Sequence, residues 1–166
     1  MTLAELLRPG MRGYLLPLVA GVLLVGSAFL PWVVVDGVSL AGFPDMPALW
    51  VIGLGAIAML LAVLSLITRK NSRHPLLVVG LLSLGIMFLS WRIMPRQAGE
   101  RASTLAQAFA IVDGFGNEKP EPVASSAGSG IYLGMGASLA LVLFGLTIVV
   151  KTVSRPYDVA DLNDDV

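Results

Sequence analysis

PALWVIGLGAIAMLLAVLSLIT, residues 47–68, decides the class of this protein. It holds no Asp, Glu, Lys, Arg or His, and its length suits a helix that crosses about 30 Å of hydrocarbon at about 1.5 Å per residue, which takes roughly 20 apolar residues. Three other stretches are also long and predominantly apolar enough: 14–35, 75–94 and 129–150. The expected fold is therefore all-α, a four-transmembrane-helix bundle forming one domain over 1–155, followed by an acidic tail, 156–166, without fixed structure.

Composition agrees. The chain is 56% hydrophobic and only 13% charged, with a mean hydropathy of +0.84, whereas a soluble domain carries about 25% charged residues. Eleven basic and eleven acidic residues cancel, so no global field recruits nucleic acid. Cysteine is absent, which removes disulfides, thiolate nucleophiles, iron–sulfur clusters and the usual structural zinc site. A cleaved signal peptide is the rival reading of the first stretch, because Arg8 and Arg12 precede it and Gly26, Ser27 and Ala28 are small. The apolar run continues through Val33, Val34 and Val35, longer than such a segment needs, so span one is expected to stay.

Helix punctuation fits the spans. Asp45 lies ahead of Pro47, and Asn71 and Ser72 ahead of Pro75, each a capping residue before a first-turn proline. Pro95 and Pro156 are expected just past the ends of spans three and four, and Pro31 should kink or end span one. Arg92 interrupts span three, near enough to its end to reach the headgroups.

Basic residues are retained on the cytoplasmic side. Arg8 and Arg12, then Arg69, Lys70 and Arg73, then Lys151 and Arg155 fall at one set of ends, while the first opposite loop has none. Both termini are thus expected inside. Trp32, Trp50 and Trp91 lie at the opposite ends, where indoles favour the headgroup layer as interface anchors. The second outer loop, 95–128, is too long for a plain helix connection. Its residues 102–112 place Leu105, Phe109 and Val112 at helical spacing and predict a short amphipathic helix at the surface. Residues 117–130, rich in Pro, Ser, Ala and Gly, read as a tether.

Helices in lipid associate through small residues. Span four offers Gly130, Gly134 and Ser138 on one face and Gly136 with Ala140 on a second row; span two adds Ala58 and Ala62. The same surfaces serve bundle packing, a homo-oligomer or a larger membrane-protein partner. An outer polar cluster is expected from Asp36, Asp45, Arg92 and Arg96, with Asp36 or Asp45 pairing to Arg92; snorkelling of Arg92 to lipid phosphate is the alternative.

The span interiors lack ionisable groups until Arg92. Such a group costs at least about 2.5–3.5 kcal/mol and marks ion paths and proton relays, so a pump or proton-coupled carrier is disfavoured. The lone His74 sits in a basic loop and gives haem no ligand, and Met59, Met87 and Met135 read as apolar filler. No cofactor, metal or catalytic constellation is expected, and the partners implied are membrane lipid and other membrane helices. Two functions remain: a non-enzymatic scaffold or accessory subunit, or a transport component for an uncharged or lipid-like molecule.

Phe29-Leu30-Pro31-Trp32, ahead of a short loop with Gly42, and the glycines opening the last span resemble a loose group of small four-span bacterial membrane proteins of unknown function. The resemblance covers the first hairpin and the start of span four. It implies a bacterial plasma membrane and brings no assigned active site.

Overall fold

The computed structural model describes residues 12–68, 73–112 and 123–153. The loop basic residues Arg69 and Lys70, the tail Pro156–Val166 and the first part of the expected tether lie outside them. A 3-10 turn, Arg12–Tyr14, leads into helix α1, Leu15–Ser27; strands β1, Pro31–Val35, and β2, Val38–Ala41, follow. Helices α2, Met46–Thr68, and α3, Arg73–Val112, come next, then strand β3, Ser125–Ala127, and helix α4, Ser129–Val153.

Three helices, α2, α3 and α4, are long and apolar enough to cross a membrane, whereas α1 is apolar but shorter. Their outward faces carry Leu60, Ile67, Leu81, Leu89 and Leu143, all more than half exposed. Helices that are apolar inside and out suit a lipid surround.

The sheet corrects the reading of 14–35 as one helix. Helix α1 stops at Ser27, and its chain tightens through Ala28, Phe29 and Leu30, whose N–H groups donate three residues back to Val25, Gly26 and Ser27. Pro31 has no N–H to continue the ladder and disfavours a helical Leu30. The β-branched run Val33-Val34-Val35 then extends, as such residues pack well on a pleated surface. Asp36 and Gly37 turn the chain with φ of 48° and 77°, so Val35 pairs directly with Val38. Positive φ at both central residues is the two-residue hairpin geometry whose twist matches that of the strands. Pro31 sits where the register shifts, the place in a strand that tolerates a missing donor.

Substituting Gly37→Ala should weaken the hairpin by roughly 1–2 kcal/mol, the left-handed penalty for a side chain, whereas Asp36→Asn should leave it intact because Asn tolerates that conformation. Faster amide exchange across Val33–Ala41 in the first variant alone is the expected result.

Strand β3 adds to the other edge of β1, giving the order β2-β1-β3, all antiparallel. The Gly128 N–H to Trp32 carbonyl bond, 2.7 Å, and the Asp36 N–H to Ala124 carbonyl bond, 3.1 Å, extend this pairing. Residues 125–127, expected within a tether, are thus the third strand. Two further expectations are corrected on α3. Pro95 lies inside the helix rather than beyond it, and 102–112 is the continuation of the same helix rather than a separate one. Proline removes one helical bond, and the turns on either side carry the helix through.

Helix α4 is central, packed against α1 and α3. A Cβ placed on Gly80 would come within 2.9 Å of the Val142 nitrogen, and one on Gly145 within 2.8 Å of the Leu77 Cα. Between α1 and α2, Gly21 and Gly55 face each other, each Cβ position 3.0 Å from the other's carbonyl oxygen. Backbones this close gain dispersion contacts that larger residues would forbid.

Candidate functional site

The three strands cover one end of the bundle, and α3 rises past them. At 40 residues and about 1.5 Å each, α3 is about 60 Å long, twice the hydrocarbon thickness of about 30 Å. Its second half is braced by the sheet: the Ser125 hydroxyl donates to the Pro95 carbonyl at 2.7 Å, and Gly99 leaves room for that serine.

Between sheet and raised helix lies a cavity of about 290 Å³. Trp32, Val33, Val35 and Leu40 line it from the sheet, Met94, Ala98, Ala102 and Leu105 from α3. Asp45, Gln97 and Arg101 supply its polar groups. Asp45 is placed by the start of α2, where its carbonyl accepts the Leu49 N–H at 3.1 Å. Side chains on a helix lean toward its N-terminus, which brings Arg101 back toward the level of Asp45. A second cavity, about 300 Å³, shares Asp45, Met94, Gln97 and Arg101 and continues to Leu89, Ser90 and Ile93. The two form one groove with a charged waist.

Trp32 is fixed from three sides. It is 1% exposed, its indole N–H donates to the Ser27 carbonyl at 2.8 Å, and Gly42 and Gly130 press on its ring, with Cβ positions 2.5 Å and 2.8 Å from ring carbons. It is therefore a core residue and not the interface anchor expected; Trp50 and Trp91 are exposed at this end of the bundle.

The other expected residues divide clearly. Gly130, Gly134, Ser138, Ala58 and Ala62 are buried, and a Cβ on Gly134 would strike the Met87 methyl and lie 2.9 Å from the Ser27 hydroxyl. The Ser138 hydroxyl donates to the Gly134 carbonyl at 2.8 Å. Gly136 faces open space and Ala140 is half-buried, so that row is not part of the closed seam. Asp36 turns the hairpin, and Arg92 and Arg96 are exposed on α3. Among the described residues no ion pair joins Asp36 or Asp45 to Arg92 or Arg96.

Arg101 is the residue the sequence reading missed as a companion of Asp45. The expectation that the helix ended before Pro95 separated Arg101 from the span ends. The signal that would have found the sheet is Asp36-Gly37 between apolar residues, a strong hairpin marker.

Among the described residues, a further apolar surface lies beyond the groove. At the tip of α3, Leu105, Phe109, Ile111 and Val112 are 59%, 67%, 69% and 82% exposed. Among the described residues no three His, Asp or Glu side chains gather as metal ligands would. No family model, no curated protein and no solved structure matches this chain.

Proposed function

We propose that this protein is a non-enzymatic, four-span integral membrane protein that serves as a scaffold or accessory subunit of a membrane assembly. Helix α1 is the fourth span in this reading. It reaches from Ser27, level with Gly130, to Tyr14, whose ring meets Phe144 edge-on at 5.4 Å, so it runs beside α4 for about four turns. Arg73, whose guanidinium lies over the Phe144 ring at that same end, supports both termini inside and the sheet outside.

The observation that carries the reading is the raised part of α3. In this reading it carries an exposed apolar tip beyond the membrane, on a helix braced by strands recruited from two loops, and an apolar surface so displayed favours a protein partner. The alternative, transport of an uncharged or lipid-like molecule, would be favoured by a cavity along the small faces of α1 and α4. Those faces are instead closed on each other, with the Gly130 Cβ position 2.7 Å from the Ser27 carbonyl oxygen.

Purification of the full-length protein in gentle detergent should bring down one larger membrane protein in fixed ratio. Phe109→Ser combined with Val112→Ser should abolish that association without altering the protein's own yield. Recovery of the unaltered protein as a lone monomer with measurable liposome flux would reverse the assignment. Reporter fusions at both termini and within residues 69–72 should all report the cytoplasm, while one within 113–122 should report the opposite side.

A further inference from the structure

We infer that the groove between the sheet, the start of α2 and α3 binds a single-chain zwitterionic phospholipid, its acyl chain under the sheet and its head at Asp45, Gln97 and Arg101. This goes beyond the scaffold reading and stands or falls without it.

The chemistry of the lining selects the ligand. The cavity under the sheet is walled mainly by Trp32, Val33, Leu40, Ala98 and Leu105, a surface that takes hydrocarbon and offers a polar molecule few partners. At the waist stand one carboxylate and one guanidinium, both lining both halves of the groove. A guanidinium matches a phosphate through paired N–H donors, and a carboxylate matches an ammonium. A head that carries both charges satisfies both groups, whereas a purely anionic head would lie against Asp45. The lower half is lined by the exposed Leu89 and Ile93 and by the buried Ser90, beside the exposed Trp91 on the apolar helix α3. A lipid molecule can therefore reach the waist sideways from the bilayer without crossing water. A cavity of about 290 Å³ lies at the small end of ligand pockets, which suits one chain better than two.

The test uses Trp32, which lines the cavity. Full-length protein with Trp50→Phe and Trp91→Phe keeps Trp32 as its sole tryptophan, since the chain has three. Lysophosphatidylethanolamine brominated along its chain is titrated into this protein in maltoside micelles. Saturable quenching of Trp32 is expected, and Arg101→Gln, an exposed position whose loss leaves the fold intact, should raise the half-saturating concentration roughly tenfold or more, as for loss of a hydrogen bond to a charged group. Ala98→Phe should fill the cavity and remove the quenching. Brominated lysophosphatidylglycerol and monoacylglycerol should bind roughly tenfold more weakly, each lacking one of the complementary charges or both. The assignment is overturned by quenching that never saturates, by equal quenching by the monoacylglycerol, or by no change with Arg101→Gln. Displacement by chainless glycerophosphoethanolamine at the same concentration as by the intact lipid would equally do so, since the acyl chain would then contribute nothing.

Discussion

Gly130→Ala is expected to lower the stability of the full-length protein in detergent micelles by about 1–3 kcal/mol, the range for inserting a methyl into a closed core. The added carbon would lie 2.7 Å from the Ser27 carbonyl oxygen, 2.8 Å from the Trp32 ring and 3.0 Å from the Leu30 Cβ. The first of these is main chain at the end of α1, and it already accepts the indole N–H of Trp32. It cannot retreat without breaking that bond or reopening the turn into β1. Gly136→Ala on the same helix meets nothing within 4 Å and should change stability by no more than about 0.5 kcal/mol. Equal thermal unfolding shifts for the two variants would show that the seam is looser than its geometry.

Trp32→Ala should be the most damaging single substitution, at about 3–5 kcal/mol for emptying a large buried aromatic site. Trp32→Phe separates packing from hydrogen bonding. It keeps a ring between Gly42 and Gly130 but removes one of the two donors to the Ser27 carbonyl, which keeps the Leu30 N–H, and about 0.5–1.5 kcal/mol is expected for the lost hydrogen bond. Because Gly130 exists as glycine to admit this ring, the pair should be coupled. Gly130→Ala in the Trp32→Phe background should do less harm than in the unaltered protein, by at least about 0.5 kcal/mol in a thermodynamic cycle. Strict additivity would place the clash elsewhere. Hydrogen exchange should show both substitutions loosening β1, since the Trp32 carbonyl also accepts the N–H of Gly128, just past the end of β3.

The consequence of these contacts reaches the candidate site. Trp32 is at once the floor of the groove and the link between α1 and the sheet, so the cavity's shape rests on the same residue that closes the bundle. The raised half of α3 depends on the sheet in turn, through Ser125 and the space left by Gly99. Bundle seam, sheet and platform are three consequences of one set of contacts rather than separate modules.

Sequence alone determined the lipid-suited helices, because a long apolar run free of ionic groups has few stable alternatives and needs no knowledge of its neighbours. It also singled out Gly130, Gly134, Ser138, Ala58 and Ala62 as packing positions, because periodicity fixes which residues share a helix face. It did not determine that Pro31–Val35 leaves the helix or that α3 continues through Pro95. Both are choices between local preferences of similar size, and distant groups tip them: β3 pairs with one, while Ser125 and the sheet brace the other. Which guanidinium lines the groove with Asp45 followed from that second choice, since a helix that stops at residue 94 and one that runs to 112 carry Arg101 to different places. Tertiary structure decided these because only a folded chain brings residues thirty positions apart within reach of one hydrogen bond.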